Sequence, residues 1–331
     1  MRIDAFTHIV PTVYRAELAS RGIDHELSDA WRRSEPLINP LLRIEIMDET
    51  EIDLQVLTLA TPPPDHLAQT DEDASALCQV ANDGIADIVR DHPGRFIGVG
   101  TVALGDVDGA IAEAERCVSD LGLRGIQLFS NVKGRPIDDP ALSPFYSYIE
   151  TLEIPLWLHP FRPQSWPDYP TETASAHRIW FSLGWPIDTT VAMARLVLSG
   201  MLEKHPGLNL IVHHAGALIP SLAPRIATTY REAPGTEAAV LERFARFYVD
   251  TVVTRGGGSA LSRAIDLFSI EHVVFGSDFP FGAEQGREFI RYAKQAVADL
   301  GLSEQERRLV ESENILSLIG PRSLPPDVGS L

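Results

Sequence analysis

A chain of 331 residues with 44% hydrophobic and 22% charged side chains carries enough apolar material for a large core, and general disorder is excluded. The formal net charge of −18 argues against a nucleic-acid partner, because polyanions are gripped by basic patches. No stretch reaches the ~18 to 20 apolar residues of a membrane span, and Thr7 and His8 interrupt the first apolar run too early for a signal-peptide core. With its two cysteines, Cys78 and Cys117, far apart and outside any CxxC pair, the chain reads as a cytoplasmic protein without disulfides.

In chain order, runs rich in Val, Ile, Leu, Phe and Tyr predict strands over 2–10, 53–60, 96–104, 124–130, 154–160, 209–216, 247–253 and 271–280. Several are apolar almost throughout, the mark of parallel strands buried on both faces. Helical periodicity lies between them, notably over 71–91, 108–121, 189–204 and 257–266. Eight strands alternating with helices predict a (β/α)8 barrel. The other doubly covered α/β plan, an open doubly wound sheet, lacks the glycine-rich loop expected after its first strand. Residues 1–320 form one barrel domain in this reading, and 321–331, rich in Pro, Ser and Gly, form a tail.

Two longer connections, 11–41 after the first strand and 162–187 after the fifth, follow strand C-termini, the end at which barrels build their sites. They are expected as insertions that wall or cover a pocket. The polar residues fall at the same end. His8 closes the first strand, His159 the fifth, His213 and His214 the sixth, and Asp278 the eighth. A single histidine beside apolar residues is usually structural, but His and Asp gathered at one barrel mouth are the ligand types of a divalent metal. Adjacent strand residues point to opposite faces, so only one of His213 and His214 is expected to face the lumen.

These strings resemble the amidohydrolase superfamily, in particular the branch of aminocarboxymuconate semialdehyde decarboxylase and related non-oxidative decarboxylases. The likeness rests on Ile3-Asp4-Ala5-Phe6-Thr7-His8-Ile9-Val10-Pro11, Trp157-Leu158-His159-Pro160, His214-Ala215-Gly216-Ala217-Leu218-Ile219-Pro220 and Gly276-Ser277-Asp278-Phe279-Pro280-Phe281. The resemblance implies that His8, His159 and Asp278 ligate one divalent ion, zinc or alternatively manganese. It makes His214 the acid/base and His213 a back-facing structural residue. Arg43 and Arg225 match arginines that grip a substrate carboxylate, the second across a homodimer interface.

Phe6 stands where the family's opening histidine pair has its first member. Asp4, expected on the same face, lies two strand positions, ~6.5 Å, too deep to replace it. Phe6 is therefore expected to shape an apolar pocket floor, and Trp180 in the second insertion is a candidate substrate contact. The implied activity is metal-dependent decarboxylation of a conjugated or aromatic carboxylic acid. Metal-dependent hydrolysis of a lactone, amide or carbon–carbon bond, and a metal-free barrel that only binds, are the competing readings.

Overall fold

The computed structural model describes residues 1–230 and 236–320, so the tail predicted over 321–331 lies outside the described residues. Eight parallel strands form the framework: β1 (Ile3–Ile9), β2 (Leu54–Leu59), β3 (Phe96–Gly98, continuing as Gly100–Thr101), β4 (Ile126–Phe129), β5 (Leu156–His159), β6 (Leu210–Val212), β7 (Tyr248–Asp250) and β8 (Val273–Val274). Neighbours in sequence are neighbours in the sheet throughout. The ring closes where β1 meets the segment around β8: Ala5 N donates to Phe275 O at 2.7 Å, Asp278 N to Phe6 O at 3.1 Å, and Thr7 bridges Phe279 in parallel. The predicted (β/α)8 barrel is the fold observed.

Helices cover the outside for local reasons. The helix Asp71–Asp91 begins where the Thr70 side chain accepts from Asp73 N, with Asp71, Glu72 and Asp73 in its first turn to complement the exposed N–H groups. It buries Leu77, Ala81 and Ile85 against the barrel. The helix predicted over 189–204 is instead two, Trp185–Leu198 and Met201–Lys204, because Gly200 adopts a left-handed φ of 77° between them.

Apolar side chains from several strands fill the interior: Ile3 and Ala5 of β1, Val56 of β2, Trp157 of β5, Ile211 of β6 and Val274 of β8 belong to one buried cluster. Trp157 Nε1 donates to Ala5 O at 2.8 Å, pinning β5 to β1 across the lumen. This plug is a floor, so any ligand must enter from the strand C-termini.

The strands are shorter at those ends than the apolar runs predict. β6 stops at Val212 and β8 at Val274, and His214 and Asp278 then take positive φ of 59° and 65°. Non-glycine residues adopt that region at a steric cost, a frequent feature of functional sites. β1 also carries a bulge: Asp4 pairs with Gln55 but Thr7 with Leu57, so the register shifts between Asp4 and Thr7. The alternation of faces is broken there, and Asp4 does not share the outlook of Phe6 and His8.

Residues 11–41 fold into helices Thr12–Ser20 and Ser28–Arg33 and a short turn, Glu35–Leu37, while the end of 162–187 holds the wide π-helical turn Trp180–Gly184 that leads into helix Trp185–Leu198. Trp31, Trp180 and Trp185 meet in one apolar cluster, which joins the two segments over the mouth. Among the described residues no helix is long and apolar enough to cross a membrane.

Candidate metal centre

Three imidazoles converge at the mouth, each held by its Nδ1. His8 Nδ1 lies 3.0 Å from Thr58 Oγ1, whose own proton goes to Thr7 O, so the ring donates and the hydroxyl accepts. His159 Nδ1 donates to Pro160 O at 2.6 Å, and His213 Nδ1 to the Asp250 carboxylate. For His8 and His159 the bond assigns the tautomer and leaves Nε2 free to offer a lone pair, while His213 Nε2 faces Asp278 Oδ1 at 3.3 Å. The ligand atoms of His8, His159 and His213 all lie within 4.8 Å of one another, and so do those of His213, His214 and Asp278. Two ligands of one ion lie at most about 4.2 Å apart, twice a metal–nitrogen bond, so an ion would draw the widest pairs of such a set closer together.

His8 Nε2 is buried without a hydrogen-bond partner, although Asp278 Oδ1 is 3.1 Å away, because the two are poorly aligned. An orphaned buried nitrogen beside a carboxylate and two more imidazoles is a donor set that fits a divalent cation.

The electrostatics agree. Burial first, then the neighbouring histidines His8, His213 and His214, hold His159 well below the ordinary histidine range, and burial likewise lowers His8 and His214. These rings are neutral at pH 7, as ligation requires. Burial would raise Asp278, but the imidazoles of His213, His214 and His8 around it outweigh that and keep the carboxylate ionised. His213 is the exception: burial pulls it down, yet Asp250 and then Asp278 push it up to about 9.

A cavity of about 240 Å³ opens above this centre, lined by Leu27, Ala30, Trp31, Thr61, His159, Arg178, Phe181, Trp185, His214, Asp278, Phe281, Gly282 and Phe289. Drug-sized pockets span ~300–1,000 Å³, so this one has room for a single substituted ring. Two cavities of about 690 and 610 Å³ lie at the strand N-termini. Their charges are already paired, as in Arg2 with Glu311 at 2.7 Å and Arg287 with Glu49 at 2.6 Å.

Of the residues singled out by sequence, His8, His159, His214 and Asp278 lie together at the mouth. His213 does not face backwards. Its ring is fully buried in the centre, 5.1 Å from the His159 centroid and 5.5 Å from that of His8. Strand alternation does not apply, because β6 has ended at Val212 and the left-handed backbone at His214 turns both rings inward.

Arg43 is also elsewhere than expected. It is fully buried outside the strand ring, its Nε bonded to Gln55 Oε1, Nη1 to His8 O and Pro36 O, and Nη2 to Thr7 Oγ1, with the guanidinium 4.8 Å over the Phe279 ring. A guanidinium so committed does not reach a substrate carboxylate in the cavity.

Arg225 is exposed on helix Ile219–Thr229, away from the cavity lining. Trp180 is buried behind Trp185, their centroids 6.0 Å apart, and only Trp185 reaches the cavity. Phe6 lies beneath the centre rather than along the cavity, stacked on His213 at 3.9 Å and 19°.

Sequence reasoning missed Asp250, a strand end on β7 that the run 247–253 marks, and Arg178, which is the lysine or arginine of the cavity lining. Arg178 sits in the second long connection with a positive φ of 60°, a placement that no periodicity encodes.

The profile of the amidohydrolase family matches residues 3–320. A 2-amino-3-carboxymuconate-6-semialdehyde decarboxylase of Dictyostelium discoideum is 30% identical over 73% of this chain and 67% of its own. A gamma-resorcylate decarboxylase of Rhodococcus jostii is 28% identical over 93% of this chain and 92% of its own. The crystal structure of a dihydroxybenzoic acid decarboxylase from Polaromonas, with bound manganese and the inhibitor 2-nitroresorcinol, superposes with a TM-score of 0.75 at 25% identity, covering 96% of each chain. A match over nearly the full length, on a closed barrel with its polar residues at the strand C-termini, leads to one conclusion: the chain belongs to the amidohydrolase family.

Proposed function

We propose that this protein is a metal-dependent, non-oxidative decarboxylase of a single-ring aromatic, or similarly conjugated, carboxylic acid. The observation that carries the reading is the buried convergence of imidazole Nε2 atoms on Asp278, under an aromatic-walled cavity of about 240 Å³. Relatives that decarboxylate aromatic acids support it.

His8, His159 and Asp278 would hold one divalent ion, zinc or manganese, which when bound supplies a Lewis acid for the substrate's oxygens. Trp31, Phe181, Trp185, Phe281 and Phe289 exclude water and pack on the ring. Arg178, whose guanidinium lies 5.4 Å over Phe181 at the rim, orients the carboxylate through its planar fork. His214, with Nε2 3.9 Å from Asp278 Oδ2, takes up a proton from water, passes it to the ring carbon that bears the carboxylate and returns to its neutral form. A carbon–hydrogen bond forms, the carbon–carbon bond breaks, its electron pair returns to the ring and carbon dioxide leaves.

The reading includes a homodimer in the cytoplasm. Leu183, Ile187 and Val191 form an outward apolar stripe at four-residue spacing that a second copy would cover, and Cys78 and Cys117 are buried free thiols. Light scattering checks the dimer.

The test of activity is turnover of 2,6-dihydroxybenzoate and related hydroxybenzoates in deuterated water with zinc or manganese. Carbon dioxide release with one deuterium at the vacated carbon is expected, and His214→Gln should slow it ~10²- to 10⁴-fold. Acid release from esters or lactones, with no carbon dioxide from any aromatic acid, would replace this reading with a hydrolase.

A further inference from the structure

Phe6 leaves the first strand one donor short, and its ring fills the space below the centre, stacked on the His213 imidazole. His213 lies on the opposite side of the lumen, fully buried, with its Nε2 grouped with the donor atoms of both His8 and His159 and 3.3 Å from Asp278 Oδ1. Its orientation is fixed by Asp250, which is itself held. One Asp250 oxygen accepts from Ala215 N at 2.9 Å and Val252 N at 3.0 Å, while the other takes the His213 Nδ1 proton. A carboxylate that accepts from Nδ1 while Nε2 points at a cluster of other donors is the arrangement that orients metal-bound histidines. Gly276 makes room for it. A Cβ there would lie 2.9 Å from Asp250 Cβ and 3.3 Å from Phe6 Cβ.

From this juxtaposition we propose that His213 is a metal ligand in this protein, supplying from β6 the imidazole that Phe6 removes from β1, with Asp250 as its positioning residue. The centre is then His8, His159, His213 and Asp278, and His214 stays free for proton transfer. This rests on the metal reading above, and the two fail differently.

The test is titration of zinc, and separately of cobalt(II), into chelator-stripped protein, with affinity from competition against a chromophoric chelator and the cobalt visible spectrum as a second readout. Wild-type protein should bind one ion. His213→Ala should weaken binding at least tenfold and shift the cobalt bands, and Asp250→Asn should weaken it ~10- to 100-fold. Phe6→His added to His213→Ala should restore much of the affinity by returning the donor to β1.

If wild-type binds no ion, the metal reading itself fails. If wild-type and His213→Ala bind alike while His159→Ala loses the ion, the metal reading stands and the role of His213 is overturned. Circular dichroism separates lost ligation from lost folding. Should His213→Ala not fold, Asp250→Asn and His213→Gln decide by the same two readouts, unchanged affinity and bands overturning the proposal.

Discussion

The two sides of β1 are both fully buried and both polar, yet they are finished to different degrees. Behind the strand the charged groups are answered, and Gln55 Nε2 is left without a partner. Arg43 gives its protons to Gln55, His8 O, Pro36 O and Thr7, and the Asp4 carboxylate accepts from the Ser277 backbone and hydroxyl. In front of it, His8, His159 and His213 satisfy one nitrogen each with a neighbour, and His8 and His213 turn the other toward Asp278. Burying an unanswered polar atom costs ~1–3 kcal/mol, so a fold retains several together only where something else repays them. Matched charges mark the scaffold behind the strand, and the gathering of ring nitrogens around one carboxylate marks the site.

The contrast can be broken most severely from the front. Asp278→Ala removes the carboxylate that every imidazole of the centre approaches, and decarboxylation should fall by ~10³-fold or more with loss of bound metal, read by kcat/KM and elemental analysis. Failure from behind should look different. Arg43→Ala strands Gln55, Thr7 and two carbonyls and leaves Asp4 without its cation, so it should destabilise the fold by about 3 to 5 kcal/mol, measured by urea unfolding. If Arg43→Ala instead unfolded normally and raised only KM, the guanidinium would belong to the substrate after all.

A smaller effect sharpens the same division. Arg178→Ala, at the exposed rim, should raise KM about tenfold while leaving the melting temperature unchanged, because a rim arginine contributes binding and little stability.

The least dramatic effect concerns pH. His159 is held well below the ordinary histidine value by burial, so in metal-free protein it stays neutral while the unfolded chain takes up a proton near pH 6.5. Its contribution is therefore intact above that value and lost as pH falls through it. The melting temperature of metal-free protein should drop between pH 7 and pH 5, and less steeply in His159→Asn.

Much of this was legible beforehand because it is written in local pattern. Apolar runs and the caps between them fix the strands and helices, and chemistry-bearing residues at strand ends announce the mouth, as His8, His159 and Asp278 do. What was hidden depends on backbone excursions or on distant partners. The bulge between Asp4 and Thr7 changes which face Asp4 occupies, and the left-handed turn at His214 brings both members of the doublet inward. Arg43 has the composition of a substrate grip, and only its partners, up to 36 residues away in the chain, reveal a strut.

The closure of the ring carries one more consequence. His8 and Asp278 face each other across the joint between β1 and the segment after β8, 3.1 Å apart but 270 positions distant in the chain. During synthesis the first strand waits for the last before any complete centre exists, so an emerging chain has no metal-trapping site to misuse. An ion bound across that joint would also act as a clasp, and chelation should first quicken amide exchange at Thr7, His8 and Asp278.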